Sequence, residues 1–324
     1  MMATYNGEKY IQDQIKSLQN QTFINWELYI SDDNSTDKTV SIIKNLQKKD
    51  SRIKKIINNN SQYHGAYANY FNIMYYVKKY CKPYDYYFYC DQDDVWLKDK
   101  IQKEVIALIQ LEKKYTSSVP AFVYCDLELC NSKCVPINHK MSNHIITQFV
   151  YNPYNTFFKE QYVWGTSMAH NFTLWNLMYI EMPEKVKNWV SHDGYVSRYA
   201  AVYGKITYIN EPLILYRRTG NNVSDVPGKY NILKQKILKL PSVVNNAANV
   251  YWDTLYFAYH VPHENKVIRD IKNCFIDPIH SFKYMKKYHI LKKSSFFGKL
   301  STKVILYTRI YKYTNLFKVE KYTK

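Results

Sequence analysis

Residues 26–37 read Trp-Glu-Leu-Tyr-Ile-Ser-Asp-Asp-Asn-Ser-Thr-Asp. The first six alternate apolar and polar side chains, which predicts a half-buried strand. The other six are residues that form turns and cap helices. Apolar residues at helical spacing follow over Thr39–Leu46. A strand that ends in a polar loop and leads into a helix is the repeating unit of an α/β fold.

The same order of elements extends along the chain. Glu8–Asn20 is predicted to be a helix, Tyr86–Cys90 a short strand that ends at acidic residues, and Lys98–Lys113 a further helix. Residues 1–7 have the pattern of a strand end and its loop, so we expect the chain to begin inside its first strand, through a misassigned start or a truncation. The predicted fold is α/β, with a mixed, mostly parallel sheet flanked by helices.

Composition limits the class of protein. The 324 residues are 46% hydrophobic, enough for one large domain and an appendage. The sequence lacks both an apolar run of about 20 residues and a signal-peptide pattern, which predicts a cytoplasmic protein. The six cysteines show no C-x-x-C spacing, so buried, reduced thiols are expected. A disulfide or metal site built from Cys125, Cys130 and Cys134 is the alternative.

The formal net charge of +18 favours anionic partners, namely nucleotides, phospholipid surfaces or nucleic acid. Basic and aromatic residues are dense in Lys229–Leu240 and His280–Lys324. Within the second range, Phe296–Phe317 has the composition of amphipathic helices that would contact the inner face of a membrane. The alternative is a helical appendage packed on the main domain. No nucleic-acid-binding motif is present, and we expect no nucleic acid partner.

The strongest chemical signal is Asp91-Gln92-Asp93-Asp94, which follows a predicted strand. Adjacent carboxylates repel one another unless a cation neutralises them, and hard oxygen ligands select Mg²⁺ or Mn²⁺. A bound divalent metal would hold a diphosphate there. The alternative is an acidic loop that caps the next helix.

Several motifs in fixed order resemble the family 2 inverting glycosyltransferases of the GT-A fold. They are Ala3–Gly7, Gln21-Thr22, Trp26–Leu28, Asp32–Asp37 and Asp91–Leu97. Three later motifs are similar to the rhamnosyltransferase-like branch of that family: Trp164–Ala169, His192-Asp193 and Glu211–Arg217. The resemblance covers residues 1–224.

The resemblance implies a role for each residue that falls on a family motif. Tyr5 and Asp33 would bind the nucleoside of the donor, with Asp32 either assisting or capping the following helix. Asp91 would face the donor sugar or ribose, and Asp91 and Asp93 would ligate the metal.

The later motifs imply the acceptor side of the site. Asp193 would be the catalytic base, with a helix N-cap as the alternative. Trp164, Gly165 and Thr166 would line the acceptor site, where core packing is an equally good interpretation of the tryptophan. Arg217 or Arg218 would bind donor phosphate, since guanidinium forms bidentate contacts with phosphate oxygens, and a surface arginine on a loop is the alternative. Relatives commonly carry a histidine where this chain has Thr219, which puts the metal affinity in doubt.

The resemblance therefore implies an enzyme that moves a hexose or deoxyhexose from a UDP- or dTDP-linked donor to the hydroxyl of a saccharide acceptor. We expect a catalytic domain over residues 1–225 and a basic helical region over 226–324. A role in bacterial cell-surface polysaccharide synthesis follows, and a lipid-linked acceptor would suit the basic region. An inactive relative, a nucleic-acid-binding protein and a nucleotidyltransferase are the alternatives.

Overall fold

The computed structural model describes residues 1–143, 153–158, 163–181, 190–219, 240–289 and 296–313. The strands are β1 (Met2–Thr4), β2 (Leu28–Asp32), β3 (Ile53–Asn58), β4 (Tyr86–Phe88), β5 (Val95–Trp96), β6 (Ala121–Cys130), β7 (Pro136–Lys140), β8 (Met168–Asn171) and β9 (Lys205–Arg217). The helices are α1 (Ile11–Gln19), α2 (Thr39–Gln47), α3 (Ala66–Tyr80), α4 (Lys100–Tyr115), α5 (Phe172–Leu177), α6 (His192–Tyr203), α7 (Leu240–His260), α8 (Lys266–Ile276), α9 (Pro278–Lys287) and α10 (Phe296–Thr308).

The strands form two sheets. One has the order β1-β2-β3 and is parallel throughout. The other has the order β4-β8-β6-β9-β5, with β7 also paired to β6. In it, β6 and β9 pair in parallel and the other pairings are antiparallel. A parallel bridge between Met2 and Cys90 joins the two sheets, which brings the ends of β1 and β4 side by side.

The predicted α/β fold with a mixed sheet flanked by helices is confirmed. The first helix begins at Ile11 and not at Glu8, because residues 5–8 instead donate backbone hydrogen bonds to neighbouring loops. The later helices lie within two residues of their predicted bounds. Each antiparallel pairing includes at least one strand that follows residue 94.

Helix α3 lies against β1 and β2 and ties their ends together. Its Asn69 amide donates to the backbone oxygens of Thr4 (3.1 Å) and Ser31 (2.9 Å). The helix begins after Gly65, whose φ of 108° is a conformation that favours glycine. This glycine therefore sets the direction in which α3 leaves the loop.

The chain divides into two compact units. The first comprises Met1–Thr147 and Val163–Asp225, and the second comprises Gln148–Tyr162 and Val226–Lys324. In the second, α7 buries Trp252 and Phe257, and its Thr254 hydroxyl donates to the backbone oxygen of Phe157 at 3.1 Å. The assignment of catalysis to residues 1–225 stays a prediction.

Two further observations concern the alternatives. All six cysteines lie within the described residues as free thiols. None of the described helices is both long enough and apolar enough to span a bilayer. The predicted basic segment over residues 229–239, and the parts of the C-terminal region at 290–295 and 314–324, lie outside the described residues.

Candidate active site

Two acidic loops follow β2 and β4. We call Asp32–Asp37 the first acidic loop and Asp91–Asp94 the second acidic loop. Both leave the carboxyl ends of their strands, where ligands bind in open α/β sheets. The bridge between Met2 and Cys90 places the second loop beside the chain that continues from β1. The two acidic runs of the sequence therefore meet at one edge of the fold.

The first acidic loop is held by hydrogen bonds from its own surroundings. Asp32 accepts from the Thr4 hydroxyl (3.0 Å) and from both the backbone nitrogen (2.8 Å) and hydroxyl (2.6 Å) of Ser35. Asp37 accepts from the Thr39 backbone nitrogen at 2.9 Å and from the backbone nitrogen of Glu8 at 3.0 Å. Asp32 thus holds the turn after β2 and does not cap α2, whose N-cap is Lys38.

Asp33 points the other way, toward the start of α3. Its carboxylate accepts from the Asn59 amide (2.6 Å) and the Gly65 backbone nitrogen (2.6 Å), and it contacts His64 Nδ1 at 2.8 Å. The carboxylate is buried, whereas the His64 side chain is half exposed. A ligand approaching Asp33 therefore meets His64 first.

Tyr5 lies between the two loops. Its ring is exposed, while its backbone nitrogen donates to Gln92 Oε1 and its backbone oxygen accepts from Gln92 Nε2, both at 2.9 Å. Gln92 belongs to the second acidic loop, so this double hydrogen bond ties that loop to the segment after β1. The free ring is available for stacking on a planar ligand.

The second acidic loop is half-buried at Asp91, Gln92 and Asp93 and fully buried at Asp94, and its carboxylates have few hydrogen-bond partners. Asp91 accepts a hydrogen bond from the Tyr70 hydroxyl at 2.8 Å. Asp94 is fully buried and accepts from the Arg217 backbone nitrogen at 3.2 Å, while its Oδ2 has no hydrogen-bond partner among the described residues. No described set of three or more His, Cys, Asp or Glu side chains is arranged to hold a metal by itself.

The pKa values of these carboxyl groups follow from that burial. Burial, the charge of Asp93 and the charge of Asp193 raise the pKa of Asp91 to about 7, against the opposing hydrogen bond from Tyr70. Burial also raises the pKa of Asp93. The pKa of Asp94 rises well above its usual range through burial and the charges of Asp93 and Asp91. A cation at this loop would relieve the repulsion between them.

Asp193 lies near the second acidic loop, since its charge acts on Asp91. It stands in the first turn of α6, whose N-cap is Ser191. The Asp193 carboxylate accepts from the backbone nitrogen of Gly194 at 2.7 Å. Asp193 is therefore not the N-cap, and its half-buried carboxylate is available to a ligand.

Tyr70, which the sequence analysis did not identify, connects these elements. Its hydroxyl binds Asp91, and its ring stacks on His192 with ring centroids 3.6 Å apart. His192 is buried, and neither of its ring nitrogens has a hydrogen-bond partner in the described structure. Burial lowers the pKa of His192 to about 4, so the ring is neutral. Tyr70 gives no signal in the sequence beyond the apolar periodicity of α3.

The predicted acceptor residues lie at different depths. Trp164 is half-buried, and Gly165 lies against the histidine ring, since a Cβ atom at position 165 would come within 2.2 Å of His192 Nε2. Thr166 is fully buried and accepts from the Trp96 indole at 3.2 Å. Its hydroxyl also opposes the rise in the pKa of Asp94. Thr166 thus supports the acidic loop from below.

Arg217 is also buried beneath this loop. Its guanidinium donates to the backbone oxygens of Asp93 and Ser132, both at 2.8 Å, and to Asp13 Oδ2 at 3.1 Å. With 3% of its side chain exposed, it is occupied by the protein and holds Asp93 from behind. The predicted phosphate contact is therefore replaced by a positioning role. Thr219 follows two residues later and is half-buried.

Comparison with known proteins shows what this part of the chain is similar to. Residues 1–133 match the sequence model described as glycosyl transferase family 2. This part of the chain is therefore similar to family 2 glycosyltransferases. The predicted resemblance is confirmed. The matched part contains both acidic loops and Tyr70, whereas His192 and Asp193 lie beyond the matched residues.

Two individual relatives are also described as glycosyltransferases. The dTDP-rhamnosyl transferase RfbG of Shigella flexneri is 37% identical over 122 residues, which are 37% of this chain and 42% of that protein. The glucosyltransferase WfgD of Escherichia coli, described as UDP-Glc:alpha-D-GlcNAc-diphosphoundecaprenol beta-1,3-glucosyltransferase, is 30% identical over 135 residues, or 42% of this chain and 47% of that protein. The chain thus spans less than half the length of both relatives.

A solved structure extends the likeness of the fold. S. aureus TarS 1–349 in complex with UDP-GlcNAc superposes with a TM-score of 0.53 and 14% sequence identity, covering 94% of this chain and 78% of that one. At this identity the likeness concerns the fold alone. It covers residues well beyond the part matched by the family 2 model.

Proposed function

We propose that this chain is an inverting glycosyltransferase that moves a hexose or deoxyhexose from a nucleotide-diphosphate sugar to an acceptor hydroxyl. One observation carries the proposal: α3 links all three acidic motifs. Its preceding Gly65 binds Asp33, its Tyr70 binds Asp91, and the same tyrosine ring stacks on the residue before Asp193. Acidic residues remote in the sequence therefore border one region, as transfer from an activated sugar requires.

The donor would bind along the β1 and β2 ends. The exposed ring of Tyr5 offers a stacking surface for a nucleobase, and Asp33 beside His64 offers a hydrogen-bond acceptor for its edge. Relatives are described as using dTDP-rhamnose and UDP-glucose. We therefore propose a UDP- or dTDP-linked donor.

A divalent metal fits the second acidic loop. Asp91 and Asp93 supply two hard oxygen ligands. Burial and the neighbouring carboxylates raise the pKa of Asp91, and burial raises the pKa of Asp93 against the opposing charge of Arg217. Mg²⁺ and similar ions are commonly bound by one or two carboxylates together with substrate phosphates. When bound, Mn²⁺ or Mg²⁺ would neutralise charge on the departing diphosphate. Arg217 and Thr166 hold the loop that presents these carboxylates.

Asp193 is the proposed catalytic base. Inversion requires one group that takes the proton of the attacking hydroxyl on the face opposite the leaving nucleotide. The Asp193 carboxylate is not used as the helix cap and lies close enough to Asp91 to raise its pKa. His192, neutral and buried, serves as packing between Tyr70 and Gly165. The half-buried Trp164 is the proposed acceptor contact.

The acceptor class follows by analogy with the relatives. WfgD is described as acting on a diphosphoundecaprenol-linked sugar. We propose a saccharide acceptor, lipid-linked, in the synthesis of bacterial cell-surface polysaccharide. The enzyme would then work at the inner face of the cytoplasmic membrane.

The test is Asp193→Asn assayed against a panel of UDP- and dTDP-sugars with Mn²⁺ or Mg²⁺. We expect donor binding, measured by thermal shift, to be kept, while nucleotide release falls at least about a hundredfold. The matched control is Asp85→Asn, an exposed aspartate before β4, which should release nucleotide at the wild-type rate. Full transfer by Asp193→Asn would remove this residue from its role. A wild-type chain that binds no donor in the panel would favour the inactive relative.

A further inference from the structure

Helix α10, in the second compact unit, carries apolar residues on both of its sides. Ile305 and Leu306 are buried. On the opposite side Leu300, Val304 and Tyr307 are 47%, 49% and 63% exposed, at the i, i+4, i+7 spacing of one helical face. A helix that only covered a core would have a polar outer side. The outer side of α10 therefore fits an apolar environment.

The exposed apolar surface continues beyond α10. The ring of Phe282 on α9 lies 6.1 Å from that of Tyr307. Ile310 and Tyr313, which follow α10, are also exposed. We call this surface the apolar face, and it consists of Phe282, Leu300, Val304, Tyr307, Ile310 and Tyr313.

The segment of chain that carries the apolar face has charge of one sign. Residues 278–319 contain ten Lys or Arg and no Asp or Glu. Lys283 and Lys286 on α9 and Lys303 on α10 are exposed. Like charge of this density opposes self-association, and it attracts an anionic surface. Aliphatic side chains lie among the lysines. A bilayer offers such side chains an apolar layer to enter, whereas a nucleic acid does not.

We propose that the apolar face docks on a bilayer that contains anionic phospholipid. The aromatic and aliphatic side chains would enter the interface between headgroups and acyl chains, and the lysines would contact the headgroups. The proposal deepens the proposed function, on which it rests for its purpose, since a lipid-linked acceptor is presented at such a surface. The docking itself needs no catalysis and is measured separately.

The experiment is flotation of the full chain with vesicles of phosphatidylcholine, with and without phosphatidylglycerol. We expect the wild type to float with the anionic vesicles only, and less at high salt. Two variants test the two components: Leu300→Gln with Val304→Gln, and Lys283→Glu with Lys303→Glu. Each should reduce the bound fraction about tenfold or more.

Matched controls come from the first compact unit. Ile24→Gln alters an isoleucine that is 72% exposed, and Lys48→Glu with Lys49→Glu makes the same change of net charge on an exposed part of the chain. Both should float like the wild type. Thermal melts verify that the variants are folded, and all the substituted positions are at the surface.

Three results would overturn the proposal: a wild type that does not float, equal flotation of both α9–α10 variants and the wild type, or a loss that the controls share. A wild type that forms a dimer in sedimentation, and loses it only in Leu300→Gln with Val304→Gln, would assign the face to a second copy of the chain. Nucleotide release without flotation would reject the docking and keep the proposed function. Flotation without any transfer would keep the docking and reject the proposed function.

Discussion

The two acidic loops have similar sequences and opposite surroundings. In the first, Asp32 and Asp37 are satisfied by hydroxyl and backbone donors of neighbouring segments. In the second, burial and the charges of Asp93 and Asp193 raise the pKa of Asp91 to about 7. Aspartate side chains in the first loop therefore stabilise a turn, whereas those in the second repel one another and would be stabilised by the proposed cation. The supply of hydrogen-bond donors, and not the acidity, separates the structural loop from the loop that we propose binds a metal.

The largest expected effect is that of Asp93→Asn on activity. Removing a proposed metal ligand should lower nucleotide release about a thousandfold. Because the change also removes a buried charge from a repelling group, the melting temperature should stay equal or rise. Donor-dependent nucleotide release and calorimetry measure the two quantities. Asp99→Asn, which loses a pairing with Lys103, is the control and should keep full activity. A marked fall in melting temperature for Asp93→Asn would mean that this aspartate stabilises the fold, as the aspartates of the first loop do.

The second effect is on the pH dependence of stability without metal. The folded pKa of Asp91 is raised from 3.8 to about 7. The stability that the protein gains from protonated Asp91 is therefore complete below about pH 4, and it is lost as the pH rises through about 7. Over this pH range, the free energy of unfolding of Asp91→Asn should rise by a few kcal/mol relative to that of the wild type. Urea unfolding at pH 4.5 and 7.5, buffered without divalent ions, measures the difference. A constant difference between the two proteins would show that Asp91 is ionised at both values.

A smaller effect is expected for Asp32→Ala in the first loop. The change removes the acceptor of three hydrogen bonds and should lower the free energy of unfolding by about 2 kcal/mol. Nucleotide release per folded molecule should change little. Asp32→Asn keeps one acceptor oxygen and should lose less stability. If Asp32→Ala instead weakens donor binding while the melting temperature is unchanged, the residue belongs to the donor site.

The smallest effect concerns the connection between the loops. Gln92→Ala removes the two hydrogen bonds to the Tyr5 backbone, in an exposed place, and should weaken donor binding a few-fold, or about 1 kcal/mol. The maximal rate should be unchanged. Gln102→Ala, which loses one exposed hydrogen bond from Thr22, is the matched control for isothermal titration. An equal loss in both variants would mean that Tyr5 is positioned by other contacts.

Local patterns predicted the first half of the fold well. The strand over β2, the loop after it and helix α2 depend on periodicity and turn residues within about 20 positions of each other. The pairing of β6 with β9 was not predictable in the same way, because it joins strands some 80 residues apart. Residues 53–58 and 66–80, which form β3 and α3, were likewise not predicted.

The site shows the same division. Both acidic loops were predicted from their motifs, yet the motifs could not tell which carboxylates would find donors. Tyr70 has the spacing of a core residue, and only the packing of α3 turns its hydroxyl toward Asp91. Arg217 was predicted to bind phosphate, whereas tertiary structure buries its guanidinium behind Asp93. Functional side chains on helices are chosen by packing, which a single sequence does not display.

The contact between Gly165 and His192 has a consequence for engineering and for divergence of this protein. Any side chain at position 165 would displace the histidine ring, and the ring would carry Tyr70 and the carboxyl group of Asp91 with it. A library that widens acceptor choice by varying position 165 alone should yield mostly dead clones. A library that varies positions 165 and 192 together, with smaller residues at 192, would make room for a side chain at 165 and should yield more active clones.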